Sequence, residues 1–135
     1  MAMKVVIGTK EGKCLQKELE DAKPLFGKKI GESFKGEFVD LPGYEFEITG
    51  GSDRIGFPMR KDVDSTARAK ILAVSGIGLK KQGAGKRVRK TVAGGIVGPQ
   101  TAQLNVKVTK MGDKPLFEEP AAENAENTEE QKAEA

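Results

Sequence analysis

Hydrophobic residues in this chain alternate with polar ones within short segments that end at glycine, which is the pattern typical of β-strands. Strands are predicted over residues 3–7, 13–19, 44–49, 68–74, 88–97 and 103–109. The segment 44–49 alternates most cleanly, and its face of Tyr44, Phe46 and Ile48 is expected in the core. The last two strands are predicted to pair as a terminal hairpin across a turn at residues 98–100.

The helical signal is weak by comparison. An acidic cap and an early proline within residues 21–26, followed by Gly27, predict one short helix. Residues 30–41 suit short strands that bend at glycine, and residues 42–43 form a Pro-Gly turn. Several short strands with at most one or two short helices predict an all-β fold, a small barrel-like domain.

The composition divides the chain into a domain and a tail. A length of 135 residues with 37% hydrophobic content is enough for one modest core, which we assign to residues 1–117. Residues 118–135 contain Ala, Glu, Asn and Gln but no large apolar side chain, so they predict a disordered acidic tail.

Charge is distributed unevenly along the chain. The formal net charge is +3, yet residues 118–135 carry seven acidic residues against one lysine. Residues 54–90 instead hold eleven basic residues and two acidic ones, a balance that predicts an anion-binding surface, most simply for nucleic acid. Within it, residues 79–90 form a basic loop with too little apolar material to order by packing alone, so we expect the loop to order on a partner.

The acidic tail therefore has two interpretations. It is either a solubilising appendage or a segment that screens the basic loop before RNA arrives. RNA association rates at low salt, measured with and without residues 118–135, distinguish the two, because only screening makes the rates depend on the tail.

Residue usage excludes much enzyme chemistry. The chain has one cysteine, Cys14, and no histidine, which removes disulfides, the usual zinc sites and nucleophiles paired with histidine. Glu45 and Glu47 share one face of a predicted strand, whereas catalytic carboxylate pairs usually come from separate elements around a cleft. We therefore interpret them as a solvated face, and we predict no enzyme activity, no cofactor and no metal.

The glycines near residue 83 do not form a nucleotide-binding motif. Lys80 occupies the position where a phosphate-binding loop needs glycine, and Arg87 follows where Ser or Thr is needed. Lys81 likewise occupies the position where the dinucleotide-binding pattern needs its third glycine. A small-molecule substrate is therefore not expected.

The sequence also predicts a cytoplasmic location. Its apolar runs are a few residues long, far short of the roughly 20 needed to span a bilayer. The first residues lack the basic leader and long apolar block of a secretory signal. We expect no membrane partner.

The segment 48–59, with the sequence ITGGSDRIGFPM, concentrates turn chemistry. Two glycines permit a sharp exit from the strand, an Asp can accept hydrogen bonds from nearby amides, and a later Gly-Phe-Pro restricts the return path. Phe57 and Met59 are expected to anchor the segment to the core. The signature positions are Gly50, Gly51, Asp53, Gly56, Pro58 and Met59. The segment is either a shape presented to a partner or an elaborate connection without function.

These residues resemble the signature of the ribosomal protein S6e family, found in the small subunit of archaeal and eukaryotic ribosomes. Flanking motifs at residues 41–44, 68–72, 87–92 and 104–106 resemble the same family in the same order, so the resemblance covers about residues 3–111. Within the family, the chain resembles the short form found in archaea. The resemblance implies a β-barrel-like domain that binds small-subunit ribosomal RNA in the lower body of that subunit, beside neighbouring ribosomal proteins.

The predicted mechanism is electrostatic docking followed by ordering of the loop, with recognition of RNA backbone and shape rather than base stacking. The predicted RNA-binding residues are Arg54, Arg60, Lys61, Arg68, Lys80, Lys81, Lys86, Arg87, Arg89 and Lys90. Gly83 and Gly85 would allow close approach of the loop backbone to RNA. The alternative is a free RNA-binding, translation or assembly factor built on a small basic β-barrel.

Overall fold

A computed structural model of the chain describes residues 2–80, 83–112 and 116–117. The strands are β1 (Met3–Gly8), β2 (Cys14–Leu19), β3 (Ser33–Lys35), β4 (Glu45–Asp53), β5 (Ala69–Ala73), β6 (Val88–Val92) and β7 (Thr101–Lys110). Two short 3-10 helices cover Lys23–Leu25 and Gly36–Val39. The prediction of an all-β fold with very little helix is confirmed. The predicted tail at residues 118–135 and the predicted contact Lys81 lie outside the described residues.

The strands form one main sheet and a separate hairpin. The main sheet has five strands in the order β2-β1-β7-β4-β3, and β5 pairs with β6. β7 lies at its centre, parallel to β1 and antiparallel to β4. The predicted terminal hairpin between residues 88–97 and 103–109 is therefore wrong. Alternation shows that β7 has a buried face, but it does not show which strand lies beside it.

The core lies on one face of the main sheet. Its central strands contribute the buried side chains Met3, Val5, Ile7, Phe46, Ile48, Leu104, Val106 and Val108. The Tyr44 and Phe46 rings stack with their centroids 5.9 Å apart, so the predicted aromatic face is in the core. On the other face Glu45 and Glu47 form ion pairs with Lys110 and Lys107, as expected of a solvated face.

A side chain joins edge strand β2 to the segment that follows β3. Lys17, on β2, donates from Nζ to the carbonyl of Val39 at 2.6 Å. It also lies 3.4 Å from a carboxylate oxygen of Asp40. Within the described residues no backbone pairing between β2 and β3 closes the sheet, so the predicted barrel-like shape is not a closed barrel.

Several element boundaries differ from the prediction. β4 continues through Gly50 and Gly51 to Asp53 instead of ending at the glycines, with a register shift opposite Ile48 and Gly50. A β-bulge of this kind lets a strand absorb glycines and still pair. The predicted helix at residues 21–26 is a single 3-10 turn, and β6 ends at Val92 rather than continuing to residue 97.

Candidate nucleic-acid interface

The segment 48–59 forms the end of β4, a tight turn and a short return. The amide of Gly56 donates to the carbonyl of Asp53, and the amide of Asp53 donates to the carbonyl of Phe57, both at 2.9 Å. Arg54 and Ile55 therefore occupy the two central turn positions, where both are exposed. The sequence predicts that the strand ends at the two glycines, whereas the structure assigns the first half of this segment to β4. Its second half does present a turn to solvent.

The glycines of this segment have different roles. A Cβ atom on Gly51 would lie 2.4 Å from the carbonyl oxygen of Gln103 on β7 and 2.9 Å from the sulfur of Met59. A Cβ atom on Gly50 would meet nothing within 4 Å. Gly56 has a φ of +98°, which glycine adopts without strain. Gly51 thus permits close strand packing, Gly56 closes the turn, and Gly50 meets neither requirement.

The return path anchors the turn to the core and to the hairpin. Met59 is 2% exposed and its amide donates to the carbonyl of Gly51 at 2.9 Å. Phe57 packs against the core, as predicted. Pro58 forms a bridge with Ser52, and a Cβ on Gly78 would lie 3.0 Å from the Pro58 ring. The turn is therefore held on both sides.

An ion pair fastens the turn to the start of β5. Asp53 is the one charged residue that is fully buried among the described residues, and the Nε–H of Arg68 donates to its Oδ2. The amide of Arg54 donates to Oδ1 of the same carboxylate at 2.6 Å. The hydrogen bond from Arg68 is the largest influence that holds the pKa of Asp53 below its ordinary value. The Arg54 amide and the two guanidinium charges act in the same direction, whereas burial opposes them.

Arg68 also stacks on an aromatic ring. Its guanidinium carbon lies 5.7 Å from the ring centroid of Phe57, within the range of a cation–π contact. About one third of the Arg68 side chain is exposed. Its position is thus set by Asp53 and Phe57 together.

Arg60 holds the beginning of the loop that connects β5 to β6. Its side chain is only 11% exposed, and it donates to the carbonyl of Ile77 at 3.0 Å and to the carboxylate of Asp62 at 2.6 Å. Its Nε is buried without a hydrogen-bond partner within the described part of the chain. These contacts fix the turn at Gly76, whose carbonyl accepts from the amide of Leu79 at 3.2 Å.

The predicted RNA contacts thus fall into two groups. Arg60 and Arg68 direct their guanidinium groups at intramolecular partners, and their contact with RNA stays a prediction. The exposed group comprises Arg54, Lys61, Lys80, Lys86, Arg87, Arg89 and Lys90. Apart from Arg54, none of these exposed side chains has an ion-pair or hydrogen-bond partner within the ranges that the structure describes.

The two acidic residues of the basic stretch do not face the exposed cations. Asp62 pairs with Arg60, and Asp64 pairs with Lys29 at 3.2 Å. The β5 and β6 strands themselves contain no acidic residue. Among the described residues, no acidic side chain therefore offsets the exposed cations of the hairpin and its loop.

The predicted RNA-binding residues omit three exposed residues of this surface. Lys70 is exposed on β5, and Leu72 on the same strand is 61% exposed despite its apolar side chain. Ile55, at the tip of the turn, is 67% exposed. The alternation of β5 is the signal that could have identified Lys70 and Leu72, since both fall on one face.

The described domain, including this surface, matches a known protein family. The family model for ribosomal protein S6e matches residues 3–119. The chain belongs to the S6e family. Members of this family from archaea align over nearly their whole length, which confirms the resemblance to the archaeal short form. No enzyme class is associated with the matched family.

Three relatives illustrate the similarity, each a small ribosomal subunit protein eS6. The protein from Methanosphaera stadtmanae is 47% identical over 131 residues, covering 93% of this chain and all of the relative. The protein from Methanocaldococcus jannaschii is 42% identical over 125 residues, covering 93% and 95%. The protein from Archaeoglobus fulgidus is 44% identical over 122 residues, covering 87% and 95%.

The described residues add neither a metal-binding cluster nor a membrane-spanning helix to this surface. They contain no group of three or more His, Cys, Asp or Glu side chains arranged to hold a metal ion. They also contain no helix of the length and apolar character needed to cross a membrane.

Proposed function

We propose that the protein is a structural constituent of the small ribosomal subunit and stabilises small-subunit ribosomal RNA during translation. The observation that carries this proposal is the set of exposed cations on and beside the β5–β6 hairpin in a member of the S6e family. Six of them have no ion-pair or hydrogen-bond partner among the described residues: Lys61, Lys80, Lys86, Arg87, Arg89 and Lys90. The ribosome in the cytoplasm is then its location, neighbouring ribosomal proteins are further partners, and its role is architectural rather than enzymatic.

Phosphate neutralisation supplies most of the proposed affinity. The cations assigned to it are Arg54, Lys61, Lys80, Lys81, Lys86, Arg87, Arg89 and Lys90. If the protein contacts about six phosphates, its affinity for RNA should fall roughly a thousandfold as the salt concentration rises from low to moderate. The reason is that binding releases counterions from the RNA, and added salt opposes that release. Gly83 and Gly85 have positive φ values of 48° and 74°, and open space surrounds both, so the loop backbone can approach RNA closely.

The signature turn contributes geometry to the proposed interface. Asp53 and Arg68 fix the base of the turn, while Arg60 fixes the start of the basic loop. These internal contacts reduce the number of conformations that must be ordered when RNA binds. Preorganisation of this kind increases affinity without adding contacts to the RNA.

Association with small subunits separates the ribosomal role from that of a free RNA-binding, translation or assembly factor. A ribosomal constituent remains bound to purified small subunits after a high-salt wash and is present at one copy per subunit. A free factor is released by the wash and is substoichiometric. Loss of the protein from washed subunits would therefore overturn the proposal.

A further inference from the structure

The β5–β6 hairpin has a partly buried inner face and a more exposed outer face, and Lys90, opposite Ile71, is the exposed member of the inner face. Ala69, Ile71 and Ala73 are half-buried on the inner face, where Val92 of β6 is fully buried. The outer face has Lys70 opposite Thr91 and Leu72 opposite Arg89 in the strand register. Directly opposite residues of an antiparallel pair share a face, so these four side chains form one surface. We call it the outer hairpin face.

The outer hairpin face has an apolar centre bordered by cations. Leu72 is 61% exposed, Arg89 lies directly across from it, and Lys70 lies two positions away on the same strand. Neither Lys70 nor Arg89 has an ion-pair partner within the described residues. The exposed apolar surface continues along the chain from Leu72 to Val74, which is 44% exposed, and to Ile77, which is 57% exposed. This part of the protein therefore offers apolar as well as charged contacts.

The chemistry of this face fits double-helical RNA better than single-stranded RNA. Single strands are usually held by stacking their bases on aromatic rings, and β5 and β6 contain no aromatic residue. An A-form helix presents a wide, shallow minor groove lined with ribose and base edges and bordered by two phosphate strands. Two strands about 5 Å apart form a narrow ribbon whose apolar centre can lie on that groove while its cations contact the phosphates.

We infer that the outer hairpin face binds the shallow minor groove of double-helical RNA, with Leu72 against the ribose and base edges and with Arg89 and Lys70 on the bordering phosphates. Thr91 supplies a hydroxyl that can exchange hydrogen bonds with a ribose 2′-hydroxyl, the group that distinguishes RNA from DNA. This inference rests on the proposed function and names the part of the RNA that this face recognises.

Binding of the full chain to three probes tests the inference. The probes are an RNA duplex of roughly 20 base pairs, one of its strands alone, and a DNA duplex of the same sequence, compared by fluorescence anisotropy at fixed salt. The expected order of affinity places the RNA duplex first. Failure of the protein to bind any RNA probe would overturn both the inference and the proposed function. Equal or tighter binding to the single strand or to the DNA duplex overturns the inference alone.

Leu72→Ser isolates the apolar contact, because it changes no charge. Its expected effect is an affinity for the RNA duplex about five- to tenfold lower, with an unchanged salt slope. Met111→Ser is the matched control, since Met111 is 64% exposed beyond the far end of β7. Equal thermal melts for both variants and the wild type establish that the fold is intact. An unchanged duplex affinity for Leu72→Ser contradicts the inference and assigns the exposed leucine to a protein partner instead.

Discussion

Asp53, at the end of β4, accepts a hydrogen bond from the guanidinium of Arg68, which lies immediately before β5. This pair connects the main sheet to the β5–β6 hairpin across 15 residues of sequence. A buried carboxylate is therefore one of the links between the two structural units that contribute to the proposed interface.

Asp53→Asn is expected to destabilise the protein by about 2 kcal/mol at neutral pH, because it removes the charge from a buried hydrogen-bonded pair. The folded-state pKa of Asp53 lies below its unfolded value, so the stabilisation is complete above the unfolded pKa of about 3.9. It is lost as pH falls through the folded pKa. Urea unfolding of the wild type and Asp53→Asn from pH 7 to pH 2.5 should show that the difference between their free energies of unfolding becomes smaller in acid. A difference that stays constant with pH contradicts this role.

Gly51→Ala and Gly50→Ala should differ sharply although the two residues are adjacent. The Gly51→Ala methyl would overlap the carbonyl of Gln103, so we expect a loss of about 2 kcal/mol or more. The Gly50→Ala methyl meets open space, and its effect should lie within about 0.5 kcal/mol of zero. Chemical denaturation of both variants measures the contrast. Equal destabilisation would show that β4 and β7 do not approach as closely as described.

Arg60→Ala is expected to loosen the start of the basic loop. It removes the donor to the Ile77 carbonyl, so the amide of Leu79 should exchange with solvent deuterium several-fold faster. Lys61→Ala is the control, because Lys61 is exposed and has no side-chain partner among the described residues. Unchanged exchange at Leu79 in Arg60→Ala would mean that the loop is held by other contacts.

Charge removal from the hairpin should lower the salt dependence of RNA binding. Each of Arg89→Gln and Lys90→Gln is expected to reduce the slope of log affinity against log salt by about 0.7 to 0.9, as one phosphate contact is lost. Lys10→Gln removes the same charge from the turn between β1 and β2, at the end of the main sheet away from the signature turn. A similar slope change in Lys10→Gln would indicate attraction by overall charge rather than by the hairpin.

The sequence predicted strands well but not their partners. Alternation identified β1, β2, β4, β5 and β7 within a few residues, because each has one buried face. It could not show that β7 lies beside β1 in parallel, since that neighbour is about 100 residues away in the chain. The link from Lys17 to Val39 was equally invisible, because a lysine on an edge strand usually indicates solvent.

The candidate site was predictable in its charge and only partly in its geometry. The turn at Asp53 and Gly56 was foreseen from turn chemistry, and the structure places it there. The internal contacts of Arg60 and Arg68 were not predicted, because a count of charges does not show which partners a side chain has. Arg60 lies two residues from Asp62, whereas Arg68 lies 15 residues from Asp53 and meets it through the fold.

The most direct test of the central claim is protein–RNA crosslinking on purified small ribosomal subunits, with the crosslinked residues mapped by mass spectrometry. The predicted result is crosslinks from the exposed cations of residues 54–90 into small-subunit ribosomal RNA, with few from the opposite end of the main sheet at Lys10 and Lys107. Crosslinks absent from residues 54–90, or confined to messenger or transfer RNA, would contradict it.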